Sequence, residues 1–299
     1  MKELTARYVE FKRFAVHDGP GIRTTLFLKG CPLACIWCHN PETISAKPEL
    51  AIHDARCVRC GECAAFCPCH SIVGGEHRFD RVNCTACGKC VEHCLYDALE
   101  LFGREISVEE AARILLEDRA FYVGGGGVTV SGGEPLLQSE FCAALFARLK
   151  KEGIHCAVDT CGHVDWEAFR RVLPVTDLFL YDFKAADPEK HRALTGQDNE
   201  RILANLRRLD ETGKPIEIRM IQVPGLNMAP RDLEQAAAFL SRLRNLTVVR
   251  LLACHHLAHS KYEAVGRTDT QPRVDSPGSA ELEASAAILR RAGLNVLLP

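Results

Sequence analysis

Eleven of the sixteen cysteines fall into three short groups, and this clustering constrains the fold more than any other feature of the chain. The first group has three members in a Cys-x3-Cys-x2-Cys pattern. The other two groups each have four members in a Cys-x2-Cys-x2-Cys-x3-Cys pattern. In chain order, the groups are Cys31, Cys35 and Cys38; Cys57, Cys60, Cys63 and Cys67; and Cys84, Cys87, Cys90 and Cys94. Spacing of this kind is typical of segments that wrap iron–sulfur clusters.

The first group has one ligand fewer than a closed [4Fe–4S] cluster requires. Such a cluster normally takes four thiolates, so three cysteines leave one iron without a protein ligand. An open iron can bind a substrate, whereas a closed cluster can only pass electrons. One open cluster and two closed ones therefore indicate an enzyme with an internal electron relay. A zinc site completed by His39 is the alternative for the first group, and two zinc knuckles are the alternative for the others.

Composition favours a globular protein that works inside the cell. The chain has 299 residues, of which 47% are hydrophobic and 25% charged, and its formal net charge is −2. This balance predicts no nucleic-acid partner and no membrane partner. The first residues lack the apolar stretch of a signal peptide, and no run of about 18 apolar residues predicts a membrane span. We expect a cytoplasmic protein, in which clustered cysteines bind metal and do not form the disulfides of a secreted scaffold.

The second and third cysteine groups form an internal repeat, and their first cysteines are 27 positions apart in the chain. A segment this small cannot bury enough apolar surface to fold well without its clusters. We therefore predict two domains. A ferredoxin-like domain with two [4Fe–4S] clusters, residues 49–103, is inserted into a larger domain made of residues 1–48 and 104–299.

The larger domain alternates between strand-like and helix-like stretches. This pattern predicts an α/β fold, a partial (β/α)6 barrel with parallel strands inside, helices outside and its site at the carboxyl ends of the strands. The predicted strands are 24–28, 128–131, 155–159, 178–182, 216–223 and 247–252. Four helices are predicted over 139–151, 166–173, 233–243 and 282–291. Two more are predicted to begin at Ser107 and at Asp187-Pro188.

Candidate ligand-binding residues follow three of the predicted strands. Gly132 and Gly133, in a Ser-Gly-Gly-Glu-Pro turn, let the backbone approach a ligand closely. Asp159, Asp182 and Lys184 end the next two strands and form a ring of charges. A plain strand-to-helix turn and solvated strand ends are the alternative explanations.

Taken together, these motifs resemble the radical S-adenosylmethionine (SAM) superfamily, whose signature is CxxxCxxC and whose second motif is GGEP. Further segments narrow the resemblance to the glycyl-radical-enzyme activating enzymes, in the subset with a ferredoxin-like insert. They are His17-Asp18-Gly19-Pro20-Gly21-Ile22-Arg23, Phe27-Leu28-Lys29-Gly30, Trp37-Cys38-His39-Asn40-Pro41-Glu42, Asp159-Thr160-Cys161-Gly162, Asp182-Phe183-Lys184, Thr195-Gly196, His255-His256-Leu257 and Lys261-Tyr262. The resemblance runs nearly from end to end.

The resemblance implies a specific reaction. One electron cleaves SAM bound to the open iron into methionine and a 5′-deoxyadenosyl radical, which removes a hydrogen atom from a backbone glycine of a partner glycyl radical enzyme. A low-potential ferredoxin or flavodoxin is the implied electron donor. A radical SAM enzyme that acts on a small molecule and an iron–sulfur electron-transfer protein are the alternatives.

The resemblance also implies roles for individual residues. The cysteines of the first group hold the catalytic cluster. Trp37 and His39 lie where the family packs adenine, and Lys184 and His255 face the SAM carboxylate. The remaining implied contacts are Gly132, Gly133 and Glu134 for the methionine amino group; Asp159, Asp182 and Phe183 for the amino group, the ribose or a monovalent cation; and Asp18 for the partner's glycine loop.

Two departures from the family pattern concern these contacts. Ala253-Cys254 stands where Pro-Tyr is common, and Phe183 replaces a usual Leu. Because His256 follows His255 directly, the sequence leaves open which histidine contacts the cofactor.

In two-cluster ferredoxins the fourth cysteine of each group ligates the other cluster. That rule predicts one cluster on Cys57, Cys60, Cys63 and Cys94, and another on Cys84, Cys87, Cys90 and Cys67. These clusters either relay electrons or help to dock the partner. The remaining cysteines are Cys69, Cys142, Cys156, Cys161 and Cys254. Most of them are predicted to be buried thiols, and Cys69 is an alternative cluster ligand beside Cys67.

Overall fold

The computed structural model describes residues 3–299, which contain thirteen β-strands and ten α-helices. The strands are β1 (Thr5–Ala15), β2 (Arg23–Leu28), β3 (Glu49–Ile52), β4 (His70–Val73), β5 (Glu76–Phe79), β6 (Leu99–Phe102), β7 (Arg104–Ser107), β8 (Gly127–Gly132), β9 (His155–Thr160), β10 (Leu178–Asp182), β11 (Ile216–Gln222), β12 (Leu246–Ala253) and β13 (Val296–Leu297). The helices are α1 (Glu62–Phe66), α2 (Lys89–Glu92), α3 (Val108–Leu116), α4 (Ser139–Lys150), α5 (Trp166–Val172), α6 (Pro188–Thr195), α7 (Glu200–Asp210), α8 (Pro230–Leu240), α9 (His259–Ala264) and α10 (Ser279–Arg291).

Nine strands form one sheet in the order β13-β12-β11-β10-β9-β8-β2-β1-β7. The strands from β2 through β8 to β13 are parallel, and β1 and β7 are antiparallel at the edge. The predicted parallel sheet is therefore confirmed, and each of the six predicted strands overlaps one of its members. Outside residues 49–103, the sequence pattern did not predict strands β1, β7 and β13 or helices α7 and α9.

Helix starts agree in part with the predicted capping residues. The hydroxyl of Ser107 accepts the N–H of Glu110 at 3.3 Å, and the carboxylate of Asp187 accepts the N–H of Lys190 at 2.8 Å. Each bond satisfies one donor that a helix start leaves unpaired. Asp165, whose residue type and position before the predicted helix 166–173 indicate a cap, makes no side-chain capping bond there. Within residues 3–299, no helix has the length and apolar character needed to cross a membrane.

The parallel strands have an apolar face and a mixed face, because side chains alternate along a strand. In β10, Phe179 and Tyr181 pack with Phe169 in the core beneath the helices. Leu178 and Leu180 point to the other face, where they form a small separate cluster. Burying each aromatic ring contributes about 1.5–3 kcal/mol. The second face becomes polar toward the carboxyl ends of the strands, where the candidate site lies.

Residues 49–103 have little regular structure, consisting of two antiparallel strand pairs, β3–β6 and β4–β5, and the short helices α1 and α2. The cysteine repeat is also a backbone repeat. Arg59 and Ala86, two residues after the first cysteine of each group, have left-handed φ values of 59° and 53°. Gly61 and Gly88, with φ of 83° and 78°, then precede α1 and α2. Equivalent residues of the two groups therefore adopt equivalent conformations.

Candidate cluster and cofactor site

The three-cysteine loop begins after β2, at the carboxyl end of the parallel sheet. The end of α6 holds its backbone, since the N–H of Ala34 donates to the carbonyl of Thr195 at 2.8 Å and the N–H of Ile36 to that of Leu194 at 3.0 Å. Cys31, Cys35 and Cys38 are half-buried free thiols. The Thr195-Gly196 segment therefore supports the loop that carries the cysteines.

The environment of the three thiols fits metal ligation. Burial raises the pKa of Cys35 to about 11 and that of Cys38 to about 12. The pKa of Cys31 is lowered, chiefly by a hydrogen bond with the side chain of Cys161. Ligation requires thiolates, so an iron–sulfur cluster would displace protons from the two buried thiols. Half-buried sulfurs on one loop are a donor set suited to iron.

A distant segment anchors the other end of the loop. The hydroxyl of Tyr262 donates to the carbonyl of Cys38 at 3.1 Å. The ammonium of Lys261 donates to Asn40 at 3.0 Å and to Glu42 at 2.6 Å. In the sequence, the Lys261-Tyr262 pair is identifiable only through the family resemblance. Its contacts identify it as the support for the loop beyond Cys38.

The adjacent histidines 255 and 256 have different surroundings. The ring of His255 lies 3.5 Å from that of His39, centroid to centroid, and its carbonyl lies 3.1 Å from the Nε2 atom of His39. His256 turns away and contacts the carbonyl of Val274. Trp37 is buried in a small apolar cluster beneath the loop. The structure thus brings His39 and His255 together and separates them from His256.

Close backbone packing explains the two glycines of the Gly-Gly-Glu-Pro turn. A Cβ atom on Gly132 would lie 2.2 Å from the carbonyl oxygen of Leu28, and one on Gly133 would lie 2.2 Å from that of Gly30. These distances are far inside van der Waals contact. Glycine is therefore required for this turn to lie against β2 and the start of the cysteine loop.

Glu134 of the same turn is fully buried, and burial raises its pKa. Its carboxylate accepts hydrogen bonds from the hydroxyl of Thr160 and from the N–H groups of Leu136, Cys161 and Gly162, at 2.8–3.2 Å. The chain's own donors therefore surround this carboxylate. Glu134 connects the turn to the segment after β9.

A buried charge network spans the polar face of the sheet. Asp159 accepts hydrogen bonds from Ser131 at 2.7 Å and from Arg219 at 2.8 Å. Asp18 lies 3.8 Å from the same arginine and accepts a bond from Thr25 at 2.9 Å. Burial raises the pKa of Asp159 to about 6. Arg219 is absent from the sequence analysis, although an arginine within the apolar run of β11 is an unusual enough signal to have indicated it.

Asp182 and Lys184 form an ion pair next to the cysteine loop, with the ammonium 2.8 Å from the carboxylate. Burial alone would lower the pKa of Lys184, but Asp182 and Cys35 raise it above its usual value. Phe183 lies apart from this pair. Its side chain packs near Phe239 in the core beneath the helices, because neighbouring strand residues face opposite ways. The side chain of Phe183 therefore points away from Asp182 and Lys184, and a role for Phe183 in cofactor binding remains a prediction.

Cysteines from the two groups of residues 49–103 lie close together in the fold. One pocket is lined by Cys57, Cys60, Cys63 and Cys94, together with His77. Burial is the main reason that the pKa of the Cys90 thiol is raised to about 11. The negative charges of three nearby cysteines, Cys67, Cys84 and Cys87, raise this pKa further. Each set combines three cysteines of one group with the fourth of the other.

The remaining cysteines are mostly buried, as predicted, with Cys142, Cys156, Cys161 and Cys254 buried and Cys69 half-buried. Burial, followed by a hydrogen bond with the side chain of Cys67, raises the pKa of Cys69. Cys69 therefore lies beside a predicted cluster ligand.

Two arginines connect residues 49–103 to the rest of the chain. Arg81 donates to the carbonyl of Leu50 at 2.7 Å and to that of Ala264 at 2.6 Å. Arg267 donates to Glu49 at 3.0 Å. The segment that supports the cysteine loop through Tyr262 thus also binds the cysteine-rich segment.

The fold and the three-cysteine loop define the class of protein: a radical SAM enzyme. Residues 25–240 match the Radical SAM superfamily, to which the chain belongs. Members bind a [4Fe–4S] cluster and SAM and act through SAM cleavage.

More similar proteins narrow this class, and the chain belongs to the glycyl-radical-enzyme activating enzymes. It is 37% identical over 293 residues to a trans-4-hydroxy-L-proline dehydratase activating enzyme of Clostridioides difficile, covering 96% of this chain and 97% of the relative. It is 40% identical over 268 residues to a (2S)-3-sulfopropanediol dehydratase activating enzyme of Klebsiella oxytoca, covering 85% and 84%. A solved domain of a pyruvate-formate lyase-activating enzyme from Bacteroides vulgatus is 31% identical, with a TM-score of 0.50, and covers 58% of this chain and 99% of that domain.

Proposed function

We propose that this enzyme activates a partner glycyl radical enzyme by removing a hydrogen atom from one of its backbone glycines. The names of the related activating enzymes support this reaction. The observation that carries the proposal is the three-cysteine loop with Lys184 beside Cys35. Three thiolates leave one iron open, and a nearby cation suits the carboxylate of an amino acid.

The chain's own residues prepare the site for this chemistry. When bound, a [4Fe–4S] cluster would supply the one electron needed to cleave SAM into methionine and a 5′-deoxyadenosyl radical. Cys31, Cys35 and Cys38 hold the cluster as thiolates. The protein then binds and orients SAM and keeps water from the radical.

Each SAM contact that we propose rests on the chemistry of the group involved. Lys184 and His255 would bind the SAM carboxylate. The contact of the His255 ring with His39 favours His255 over His256, which turns toward Val274. His39 and Trp37 contribute to the adenine pocket. The other contacts are Gly132 and Gly133 with the amino group, positioned by Glu134, and Asp159 and Asp182 with the amino group, the ribose or a monovalent cation.

The partner supplies the glycine from a loop that reaches the polar face of the sheet. Asp18 is proposed to contact this loop. Because Asp18 is only 7% exposed and is bonded to Thr25, such a contact requires the glycine loop to enter deeply. A buried approach also protects the radical from solvent.

Residues 49–103 are proposed to be a ferredoxin-like domain with two [4Fe–4S] clusters, inserted into a partial (β/α)6 barrel made of residues 1–48 and 104–299. The pairing of cysteines around one pocket supports the cluster on Cys57, Cys60, Cys63 and Cys94. The second cluster is assigned to Cys84, Cys87, Cys90 and Cys67. We propose that both clusters relay electrons from a cytoplasmic ferredoxin or flavodoxin, with partner docking as the alternative role.

The test uses full-length protein reconstituted without oxygen and supplied with SAM and dithionite. We expect 5′-deoxyadenosine to form, and a glycyl radical to appear by EPR in a matching partner enzyme. Cys35→Ala abolishes both signals, whereas Cys142→Ala, which removes a buried thiol outside the three groups, retains them. Product without a glycyl radical in any candidate partner would favour a small-molecule substrate. Failure to cleave SAM by a protein that contains the catalytic cluster would overturn the proposal.

A second measurement isolates SAM recognition. Lys184→Met removes the ammonium beside Cys35, and we expect at least tenfold weaker SAM binding by equilibrium dialysis, since a hydrogen bond to a charged group contributes about 1.5–3 kcal/mol. Lys190 lies on helix α6 and forms an ion pair with Asp232 of helix α8. Lys190→Met should leave SAM binding unchanged. Equal affinities would contradict the assignment of Lys184.

A further inference from the structure

A histidine pair lies against one of the two cysteine sets in residues 49–103. The Nε2 atom of His77 is 3.6 Å from the sulfur of Cys63 and 2.9 Å from the Nδ1 atom of His70. His77 lines the same pocket as the four cysteines of that set. The three ligating atoms all lie within 4.8 Å of one another. An imidazole thus reaches a sulfur that the proposed function assigns to a cluster.

The charge on Cys63 favours one of the two positions for the shared proton. Two ring nitrogens 2.9 Å apart can hold only one proton between them, because two N–H groups would repel each other. Cys63 as a thiolate is an acceptor and cannot donate to His77. With the proton on Nε2 of His77, an N–H group lies next to the negative sulfur, whereas with the proton on Nδ1 of His70 the sulfur receives no donor from this pair. A thiolate at Cys63 therefore favours His77 as the donor.

His70 holds this donor in place. His70 is 4% exposed, and its ring lies nearly parallel to those of His77 and Phe79, with centroid distances of 5.1 and 4.7 Å. Its other nitrogen, Nε2, is buried and has no hydrogen-bond partner among the described residues. Such an unsatisfied group is costly in a fold. His70 is consequently a positioning residue, which fixes the ring of His77 against Cys63.

We propose that His77 donates an N–H···S hydrogen bond to Cys63 and raises the reduction potential of the cluster that Cys63 holds. Reduction adds negative charge to the sulfurs, so a hydrogen-bond donor stabilises the reduced state more than the oxidised state. This inference rests on the proposed function, because it requires a cluster on Cys57, Cys60, Cys63 and Cys94.

The second cysteine set has a different kind of donor. The sulfur of Cys84 accepts a hydrogen bond from the backbone N–H of Ala86 at 3.3 Å. Among the hydrogen bonds of the described residues, the contact between a side-chain nitrogen and a cysteine sulfur is the one between His77 and Cys63. Two clusters with the same cysteine spacing therefore acquire different potentials. Because the His77 cluster has the higher reduction potential, it is the cluster of the insert that is reduced first.

The test is a potentiometric titration monitored by EPR on the full-length, anaerobically reconstituted protein. His77→Phe keeps a ring but removes the donor, and His77→Gln restores an N–H. The matched control is His53→Phe, because His53 lies in the same segment and bonds to Glu100 at 3.0 Å, not to a sulfur. We expect His77→Phe to lower the potential of one cluster, reducing its reduced-to-oxidised ratio at a fixed potential about tenfold, or about 59 mV for one electron. His77→Gln should recover part of this loss and His53→Phe should match the wild type.

Iron content separates the possible outcomes. About twelve irons per chain, four for each of three clusters, confirm that the insert is loaded. Twelve irons with unchanged potentials in His77→Phe would overturn the hydrogen bond and leave the proposed function intact. Four irons in the wild type would overturn both the insert clusters and this inference, while SAM cleavage still tests the catalytic cluster. One zinc per chain that disappears in His70→Ala would assign the three residues to a mononuclear metal site and overturn the inference.

Discussion

The hydroxyl of Tyr262 donates a hydrogen bond of 3.1 Å to the carbonyl oxygen of Cys38, the last cysteine of the three-cysteine loop. The two residues are 224 positions apart in the chain. Tyr262 is 2% exposed, so water cannot easily replace this bond. The contact fixes the loop from the side opposite to α6, and the loop is thereby held at both ends.

Tyr262→Phe should weaken retention of the catalytic cluster. The change removes one hydrogen bond and leaves a buried carbonyl without its donor, at a cost of about 1–3 kcal/mol. We expect faster iron loss to a chelator, measured by absorbance. Tyr122→Phe is the control, because Tyr122 donates to the carbonyl of Leu115 at 2.7 Å away from the cysteines. Equal rates of iron loss in the two variants would contradict a specific role for Tyr262.

Arg81→Ala should loosen the junction between residues 49–103 and the rest of the chain. The guanidinium bonds to the carbonyls of Leu50 and Ala264, and bonds to a charged group contribute about 1.5–3 kcal/mol each. Hydrogen exchange should increase in residues 49–52 and 261–267. Arg59→Ala removes an exposed ion pair with Glu76, worth about 0–1 kcal/mol, and should leave these regions unchanged. Protection that survives in Arg81→Ala would show that the other contacts, including that of Arg267 with Glu49, are sufficient to hold the junction.

Gly133→Ala should displace the Gly-Gly-Glu-Pro turn from the cysteine loop. The new methyl group would lie 2.2 Å from the carbonyl oxygen of Gly30, so the backbone must move. Overpacking of this kind costs about 1–3 kcal/mol, and we expect a lower unfolding temperature together with weaker SAM binding. Gly153→Ala is a useful comparison, since Gly153 has φ of 71° but nothing within 4 Å of a new Cβ. It should lose stability through backbone strain while SAM affinity is unchanged.

Asp159 should make the metal-free protein less stable as the pH rises from about 4 to about 6. Burial raises its folded-state pKa to about 6, above the ordinary value of 3.8. Over this interval the folded state keeps the proton and the unfolded state releases it, so stability is greatest at the acidic end and falls as the pH rises. Each unit of such a shift corresponds to about 1.4 kcal/mol.

The measurement compares denaturant unfolding of wild type and Asp159→Asn across that interval. The asparagine variant should show a weaker decline of stability with pH, whatever its absolute stability. Asp177→Asn is a control of opposite sign. A hydrogen bond from Lys150 lowers the pKa of Asp177 despite burial, so its contribution is lost as the pH falls. An unchanged slope in Asp159→Asn would mean that Arg219 keeps Asp159 ionised throughout.

Local patterns predicted the central part of the parallel sheet and several of its helices. Apolar runs located the six predicted parallel strands, and Ser107 and Asp187 marked helix starts, because capping depends on neighbours in sequence. Cysteine spacing predicts an exchange of fourth ligands between two clusters, and the pocket that Cys57 and Cys94 both line is compatible with this prediction. Helix α7 carries Ile202, Leu206 and Leu209 at helical spacing, which is a local signal for a helix.

Only the tertiary structure decided which distant side chains serve the site. Periodicity predicts which face of a strand a side chain occupies but not which residue of another strand it contacts. The ion pair of Arg219 with Asp159 therefore becomes visible only when β9 and β11 are assembled in one sheet. The alternation of side chains continues one residue past β10. The side chain of Phe183 therefore lies in the core, away from the ion pair of its neighbours Asp182 and Lys184. Tyr262 reaches Cys38 because the chain returns after β12 to cover the cysteine loop. Sequence therefore determined the chemistry that this protein can carry, and long-range packing, which no local pattern encodes, determined how that chemistry is held in place.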